Sequence, residues 1–411
     1  MKVNTPVKLL ALFLYFSSFL AVLWFSFHLT LDPFKSIIFA VSGGVVYLLL
    51  GDVSFRALYK VLRGKPYAMR GKIPFKEMYV EPHPYLPYVF KKNFLCQKKH
   101  PSDYPLNRDK DYWLGQFYTN NMGHLNGIDG TREVVIPKPE GLFRVNCLGA
   151  STTANYILEK DDVFSYPLEL GKILHKSFPG KNIEVNNFAM GGYTSAELLI
   201  KFLLESIDSN PDMIILYHAY NDLAPSLTAD FKSDYSHARK NLAENYHLFK
   251  WASKIPYVPF ALPNFLLNLL LPQNIKYGLF SAVSKGSISL DDEFKGLDTY
   301  KRNIKSLIHI CQANGIKVVL STYCHFLYPQ IEDDKSHLKY RAGVLGENDV
   351  MRELAGEHEL PLVDNFNLVP YEEKYFVDSV HFSPHGMQEI AKNISKPIIE
   401  HLNSVYPTFP M

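Results

Sequence analysis

Short apolar segments alternate with longer helical segments from residue 143 onward, and this alternation constrains the fold more than any other feature of the chain. The apolar segments predict five strands, at Val145–Gly149, Ile183–Phe188, Met213–Tyr217, Ile316–Thr322 and Pro361–Asp364. The segments around them predict five helices, at Phe164–Phe178, Ser195–Ile207, Asp298–Asn314, Glu347–Glu359 and Pro384–Leu402. The middle strands are rich in Ile and Val, as a sheet covered on both faces requires. Such an alternation predicts a parallel sheet with helices on each side.

Two apolar segments near the N-terminus predict a membrane anchor. Leu9–Leu29 is almost uninterrupted and long enough to cross a hydrocarbon core of about 30 Å. After a short connector, Ser36–Gly51 reaches only about 24 Å as a helix and is a marginal span. The first segment exceeds the apolar part of a cleaved signal peptide, and no Ala-x-Ala-like site follows it. We interpret residues 1–55 as an uncleaved anchor of two apolar helices, at 9–29 and 36–51.

The distribution of basic residues predicts how this anchor is oriented. Lys2 and Lys8 precede the apolar segments, and the connector carries only Lys35. Six basic residues follow the second segment: Arg56, Lys60, Arg63, Lys65, Arg70 and Lys72. The positive-inside rule then places both flanks, and the large C-terminal region, on the cytosolic side. If the second segment instead lies on the membrane surface, that region is on the opposite side.

Composition and charge bound the remaining function classes. The 411 residues are 47% hydrophobic and 20% charged, which fits one large folded domain with appendages. The 43 basic and 41 acidic residues give a net charge of only +2, so no nucleic-acid partner is expected. The four cysteines lack Cys-x-x-Cys spacing, and no His, Asp or Glu cluster has metal-ligand spacing. We therefore expect neither a metal nor a cofactor, and membrane lipid is an expected partner.

Two regions interrupt or precede the alternation. Residues 56–142 form a basic juxtamembrane segment and an extension rich in proline and tyrosine, which we interpret as irregular and partly β. Within the region 143–411, residues 224–297 form an insertion that contains the apolar run Phe265–Leu271. Prolines cut this insertion too often for a membrane span. It is either a lid or interfacial patch that touches lipid or an acyl chain, or an ordinary helical subdomain.

Four short motifs follow predicted strands or lie in loops. They are Gly149-Ala150-Ser151-Thr152, Gly191-Gly192, Asn221-Asp222 and Asp378-Ser379-Val380-His381. Ser151, Gly192, Asn221 and His381, in this order, resemble the four block markers of the SGNH hydrolases, also called GDSL-type lipases and acylhydrolases. The resemblance covers roughly residues 143–402. It implies a three-layer α/β/α domain with a parallel, flavodoxin-like five-stranded sheet.

The chain departs from the family pattern at two positions. Ala150 replaces the aspartate of the usual Gly-Asp-Ser, and Ala219 replaces the glycine of the usual Gly-x-Asn-Asp. Neither change removes a reacting atom. The second raises the question whether the loop before Asn221 takes a backbone shape that glycine would permit.

A serine, an aspartate and a histidine in these motifs predict nucleophilic catalysis. A neutral hydroxyl is a weak nucleophile, so Ser151 needs a base within hydrogen-bond reach, and His381 is the candidate. Asp378 lies three residues earlier, a spacing that lets its carboxylate reach one ring nitrogen while the other faces Ser151. Pro384 fits the first turn of the following helix and Ser383 its N-cap, which would pin the histidine loop.

Three groups are candidates for stabilising the oxyanion that forms when Ser151 attacks an ester. They are the backbone N–H of Ser151, the backbone N–H of Gly192 and the side-chain amide of Asn221. A glycine at position 192 lets the backbone approach the substrate without a Cβ. His218, Asp222 and His385 lie near the motifs in sequence, and we expect them to orient loops or cap helices.

These expectations converge on a membrane-anchored serine hydrolase that cleaves an O-acyl ester of a lipid or an acylated saccharide through an acyl-enzyme on Ser151. Two alternatives remain open from the residues. The same acyl-enzyme can pass its acyl group to a sugar hydroxyl, which makes the protein an O-acyltransferase. The protein can also be a non-catalytic, membrane-tethered relative that keeps the fold.

Overall fold

The computed structural model describes residues 5–28, 32–64, 66–67, 80–96, 117–125, 133–154, 157–159, 162–238, 260–270 and 288–406. The chain forms two compact units. One contains the N-terminal residues Met1–Lys76 together with Asn245–Leu279, and the other contains Glu77–Glu244 and Phe280–Met411.

The described part of the chain contains the following helices and strands. The α-helices, in chain order, are α1 Thr5–Phe27, α2 Pro33–Arg63, α3 Ser151–Ala154, α4 Tyr166–Ser177, α5 Ser195–Lys201, α6 Leu223–Ser226, α7 Ala261–Leu270, α8 Leu297–Ala313, α9 Lys335–Glu357, α10 Asn365–Leu368 and α11 Pro384–Val405. The strands are β1 Val80–Glu81, β2 Val89–Phe90, β3 Leu95–Cys96, β4 Phe117–Tyr118, β5 Phe143–Gly149, β6 Ile157–Glu159, β7 Asp162–Phe164, β8 Ile183–Asn187, β9 Met213–Tyr217, β10 Lys317–Ser321 and β11 Leu362–Val363.

Both N-terminal apolar segments are helical, but the second is much longer than the sequence predicts. Its 31 residues begin after Asp32, whose side chain accepts hydrogen bonds from two backbone N–H groups of the first turn, and they end at Gly64 in a left-handed conformation. At 1.5 Å per residue this helix is about 46 Å long. By length and composition α2 can cross a membrane, over Pro33–Leu62. The predicted bounds 36–51 are therefore too short, because the same helix continues past Gly51 to Arg63.

The apolar part of the insertion packs within the N-terminal unit. The ring of Phe265, on α7, lies 5.1 Å from the ring of Phe55, on α2. The Asp52 side chain accepts a hydrogen bond from the backbone N–H of Ala261, the first residue of α7. Tyr67 donates a hydrogen bond to the side chain of Asn264 over 2.9 Å. Helix α2 thus holds α7, the described helix of the insertion, through the Asp52 carboxylate and the ring of Phe55.

The second unit is built on the predicted parallel sheet. Its strand order is β11-β10-β9-β5-β8, and every neighbouring pair is parallel. Renumbered along the chain, this order is 2-1-3-4-5 read from the β8 edge, which is the flavodoxin-like order. The predicted fold class is therefore confirmed, with strand bounds that differ from the prediction by two residues at most.

Alternate residues of the central strands supply the cores on the two faces of the sheet. Val145 and Ile215 pack in one buried cluster with residues of α4 and α11. Leu148 and Ile214 pack in another with residues of α5 and α8. Since successive side chains of a strand point to opposite faces, the sheet is buried on both sides and the domain has three layers.

Two helices of the second unit differ from the sequence prediction by more than three residues. Helix α9 begins at Lys335, twelve residues before the predicted Glu347, because Asp334 caps it by accepting hydrogen bonds from the backbone of Ser336 and His337. Helix α5 ends at Lys201 and continues as a π-helical turn, Phe202–Ser206. The described parts of the extension contain two antiparallel strand pairs, β1 with β2 and β3 with β4.

Candidate active site

Ser151 lies just past the carboxyl end of strand β5, an inner strand of the sheet. Strand β5 ends at Gly149, and Ser151 begins the short helix α3, which is started by a hydrogen bond from the Ala154 N–H to the Ala150 carbonyl. A Cβ on Gly149 would come within 2.4 Å of the Tyr217 carbonyl oxygen on the neighbouring strand. The glycine thus permits a close approach of two backbones, and the turn that follows presents the Ser151 hydroxyl at the carboxyl edge of the sheet, where such folds bind their ligands.

The loop that carries His381 is fixed at both ends. Phe376 and Phe382 pair across it, and the Val377 N–H donates to the His381 carbonyl over 2.9 Å. Helix α11 follows with Pro384 in its first turn, and the Ser383 side chain accepts a hydrogen bond from the Gly386 N–H, which confirms the predicted cap. The loop therefore has little freedom to move the imidazole.

Hydrogen bonds join Asp378, His381 and Ser151 in one relay. The Nε2 atom of His381 lies 2.9 Å from the Ser151 Oγ. The Nδ1 atom lies 2.7 Å from an Asp378 carboxylate oxygen. The other oxygen of Asp378 accepts the backbone N–H groups of Val380 and His381 at 2.9 and 2.8 Å. The structure thus brings together three residues, two of them in one loop and the third 230 positions away.

The charges in this relay favour an ionised carboxylate beside a basic ring. Burial opposes ionisation of Asp378, but the His381 charge and the three hydrogen bonds lower its pKa from 3.8 to about 2. Burial also opposes protonation of His381. The charge and hydrogen bond of the Asp378 carboxylate have a larger effect than burial, so the pKa of the His381 ring is raised above 6.5. The two side chains are 28% and 31% exposed, so His381 is reachable from solvent. This arrangement can draw a proton from the Ser151 hydroxyl.

The Gly192 and Asn221 motifs lie in loops that are joined to each other and to the serine turn. The Met190 N–H donates to the Gly149 carbonyl over 3.2 Å. Gly192 has a φ of 77°, in the left-handed region that favours glycine. The Asn221 side-chain amide donates one N–H to the Tyr193 carbonyl over 2.8 Å, which fixes the direction of the second. All four predicted segments therefore meet at one edge of the sheet.

The loop that carries Gly192 is also held by the helix after it. Thr194 is the N-cap of α5, and its backbone N–H donates to the Glu197 carboxylate over 2.7 Å. The Glu197 carboxylate also binds the Thr194 side chain, and the two residues form a capping box. The Thr-x-x-Glu spacing is legible in the sequence, and it fixes where the loop ends and the helix begins.

The turn before Asn221 answers the question raised by Ala219. The left-handed residue of this turn is Tyr220, with a φ of 72°, so Ala219 needs no glycine-like conformation. The Asn221 N–H donates to the Ala219 carbonyl over 2.9 Å, which closes a γ-turn around Tyr220. The Tyr220 N–H donates to the Glu347 carboxyl over 2.7 Å. Sequence reasoning missed Glu347, which carries no motif and lies 127 residues from its partner.

Glu347 is a buried acid near a second buried acid. Its side chain is 1% exposed, and burial together with the charge of Asp222 raises its pKa well above 4.5. Asp222 accepts the Ser195 N–H at 2.9 Å and lies 3.0 Å from the His218 Nε2. Asp222 and His218 therefore bind the loops behind Asn221 to each other, as expected, and His385 is exposed at the start of α11.

Among the described residues, no group of three or more His, Cys, Asp or Glu side chains is arranged to hold a metal ion. Of the four cysteines, Cys147, Cys311 and Cys324 are buried free thiols. Every site residue predicted from the sequence lies within the described part of the chain.

The structure combines a parallel α/β sheet with a serine, a histidine and a carboxylate hydrogen-bonded in series at its carboxyl edge, an arrangement like that of serine hydrolases. The particular family follows from the comparison with family models. The chain belongs to the GDSL-like lipase/acylhydrolase family, whose model matches residues 147–389, more than half of the chain. The extension and residues Met1–Lys76 of the N-terminal unit lie outside the matched residues.

Several solved structures are similar to this chain at low sequence identity. A GDSL-like lipase from Bacteroides thetaiotaomicron VPI-5482 is 16% identical, with 63% of this chain and 88% of that chain covered and a TM-score of 0.36. A lipase/acylhydrolase from Enterococcus faecalis is 16% identical, with 63% and 96% covered and a TM-score of 0.39. A catalytic mutant of an acetylxylan esterase from Geobacillus stearothermophilus is 17% identical, with 62% and 94% covered and a TM-score of 0.38. No curated protein matches the sequence.

Proposed function

We propose that this protein is a membrane-anchored serine ester hydrolase that cleaves an O-acyl ester through an acyl-enzyme on Ser151. One observation carries the proposal: the unbroken relay from the Asp378 carboxylate through His381 to the Ser151 Oγ, with contacts of 2.7 and 2.9 Å. Both distances are within the reach that proton transfer requires. Membership of an acylhydrolase family supports the same reaction class.

In the first half-reaction the Ser151 Oγ attacks the acyl carbonyl carbon, and its proton passes to the Nε2 of His381. The resulting oxyanion is met by the backbone N–H groups of Ser151 and Gly192 and by the Asn221 amide. The tetrahedral intermediate then collapses: the bond from the acyl carbon to the alcohol oxygen breaks, and His381 gives its proton to the leaving alcohol. Asp378 keeps the ring in the required tautomer and stabilises the imidazolium.

In the second half-reaction water replaces the alcohol. His381 takes a proton from a water molecule as the water oxygen attacks the acyl carbon. The bond from the acyl carbon to the Ser151 Oγ then breaks, and the proton returns from His381 to the serine. The products are a carboxylic acid and the free enzyme. If a sugar hydroxyl takes the place of water, the same steps give acyl transfer, and analysis of the products distinguishes the two.

The long apolar helix α2 supports attachment to a membrane. Its side chains Ile37, Val41 and Val45 are 54%, 60% and 48% exposed, and its length exceeds the hydrocarbon thickness of about 30 Å. Arg56 and Lys60 lie near the C-terminal end of this helix. The positive-inside rule therefore favours a cytosolic position for that end and for the hydrolase domain.

A fluorophosphonate probe and a panel of small esters test the reaction class. We expect the full-length protein in detergent to become labelled covalently, and Ser151→Ala to lose labelling and at least about 10³-fold of the turnover. The matched control is Ser306→Ala, which removes a serine hydroxyl from the surface of α8 and should keep both activities. If the folded wild-type protein neither labels nor turns over any ester, the hydrolase proposal is overturned in favour of a non-catalytic role.

A further inference from the structure

The extension that precedes the family domain reaches the loop that carries Gly192. Between strands β1 and β2 the chain makes a compact turn, in which His83 Nδ1 accepts the backbone N–H groups of Tyr85 and Leu86 at 3.2 and 3.1 Å. Tyr88 follows this turn and is only 1% exposed. The sequence assigns no role to this proline- and tyrosine-rich segment.

Two tyrosines join the extension to the Gly192 loop by reciprocal hydrogen bonds. The Tyr88 hydroxyl donates to the Gly191 carbonyl oxygen over 2.9 Å. In the opposite direction, the Tyr193 hydroxyl donates to the Tyr88 carbonyl oxygen. The two rings pack with their centroids 5.7 Å apart, and Tyr193 is also buried. The loop is therefore held by Tyr88 on one side and by the Asn221 amide on the other.

The Gly191 carbonyl and the Gly192 N–H belong to the same peptide unit. Because a peptide is planar and trans, its C=O and N–H point in opposite directions, so a bond that fixes the oxygen also fixes the direction of the N–H. This restraint matters at a pair of glycines, since neither residue has a side chain to limit rotation of the peptide. A hydrogen bond accepted by the carbonyl also polarises the unit and makes its N–H a better donor.

We propose that Tyr88 is a positioning residue of the active site, which aims the Gly192 N–H at the oxyanion by holding the Gly191 carbonyl. The inference rests on the proposed hydrolase function, and it extends the catalytic machinery beyond residues 147–389 matched by the family model. The extension then completes the hydrolase domain rather than acting as a spacer behind the membrane anchor.

Tyr88→Phe tests the proposal, because it keeps the ring and removes only the hydroxyl. With p-nitrophenyl acetate as substrate, we expect kcat to fall about 10-fold to 100-fold, less than the 10²-fold to 10³-fold loss typical when an oxyanion donor is removed outright. The KM should change by less than about twofold, since the donor acts in the transition state. The rate of fluorophosphonate labelling should fall in parallel with kcat.

The matched control removes a buried hydroxyl from the same extension, away from the Gly192 loop. The Thr119 side chain donates to the Lys91 carbonyl and accepts the Phe94 N–H at 2.9 Å. Thr119→Val should lower the melting temperature as Tyr88→Phe does, yet leave kcat within about twofold. If Tyr88→Phe does not fold, Tyr193→Phe replaces it, and its kcat should fall by at least about threefold because the reciprocal bond to Tyr88 is lost.

The outcomes separate this inference from the function on which it rests. If the wild type is active, Ser151→Ala is inactive and Tyr88→Phe keeps its kcat and labelling rate within about twofold, only the role of Tyr88 is overturned. Equal losses in Tyr88→Phe and Thr119→Val also overturn it, since they would reflect a general loss of stability. If the wild type neither labels nor hydrolyses, the hydrolase function and the role of Tyr88 fall together.

Discussion

Asp378 binds three hydrogen-bond donors within its own loop, and these contacts organise the proposed catalytic relay. One carboxylate oxygen accepts the N–H groups of Val380 and His381, and the other binds the imidazole. The same side chain thus folds the loop and orients the ring. The spacing Asp-x-x-His is sufficient for this geometry, which is why the pair is recognisable in the sequence.

Asp378→Asn should slow ester hydrolysis strongly and shift its pH dependence. An amide can donate to Nδ1, which favours the wrong tautomer of His381, so we expect kcat to fall about 10³-fold to 10⁴-fold. His381 must be neutral to act as a base, and its pKa is raised above 6.5 by Asp378. The acid limb of kcat/KM should therefore lie above pH 6.5 in the wild type and move to lower pH in the variant.

The control for this experiment is Asp349→Asn, which changes an exposed aspartate of α9 whose partner is Arg352. It should leave both the rate and the profile unchanged. An acid limb that stays in place in Asp378→Asn would contradict the assignment of Asp378 as the group that tunes His381.

At the scale of elements, helix α9 shows what a sequence pattern misses. Its first twelve residues lack a regular apolar face, and the helix begins at Lys335 only because Asp334 supplies a cap. Further along the helix, Gly343 lies against Leu223 of α6, and Glu347 accepts the Tyr220 N–H in the turn before Asn221. Hydrophobic periodicity does not reveal this helix, because its first turns are polar and one of its buried residues is an acid.

Glu347→Gln should become increasingly more stable than the wild type as the pH rises. Glu347 keeps its proton in the folded state, since its pKa is raised well above 4.5, whereas the unfolded chain ionises it near that value. Above about pH 4.5 the wild type therefore loses up to about 1.4 kcal/mol of unfolding free energy per pH unit from this group, until the folded pKa is reached. A glutamine side chain still accepts the Tyr220 N–H but does not ionise, so the variant does not lose this unfolding free energy. Urea unfolding of the full chain in detergent, between pH 5 and pH 8, measures the difference.

Glu353→Gln provides the comparison, because Glu353 lies on the same helix, is half exposed and pairs with Lys301. Its unfolding free energy should follow the pH dependence of the wild type. Parallel curves for the wild type and Glu347→Gln would show that Glu347 is ionised in the folded protein, contrary to this account.

At the scale of the whole molecule, the chain combines an apolar helical unit with a second unit that the family model covers only in part. The insertion contributes a helix, α7, to the apolar unit, where Asp52 caps it and Phe55 packs against it. The extension contributes Tyr88 to the second unit. Helix α7 of the insertion and Tyr88 of the extension thus belong to different units.

Labelling of single cysteines should report which side of the membrane carries the hydrolase domain. In a Cys96→Ser background the remaining native cysteines are buried, so an exposed probe position can be labelled selectively. We expect Phe34→Cys, at the exposed start of α2, to react with an impermeant maleimide in intact cells. Lys176→Cys, at the exposed end of α4, should react only after lysis.

Detergent-treated cells provide the control, in which both positions should label fully. Labelling of Lys176→Cys in intact cells would reverse the proposed topology. It would also indicate that α2 does not cross the membrane in the orientation that its basic C-terminal end favours.

Local patterns in the sequence determined the order of strands and helices, the presence of two apolar helices, and the four motifs with Ser151, Gly192, Asn221 and His381. Hydrophobic periodicity, turn chemistry and short spacings depend on neighbouring residues, so they are legible without coordinates. The tertiary structure alone decided which distant groups support the site. The bonds of Tyr88 to Gly191 and of Glu347 to Tyr220 join residues more than 100 positions apart. Such contacts form when buried polar groups must find partners in the packed interior, and no local pattern specifies those partners.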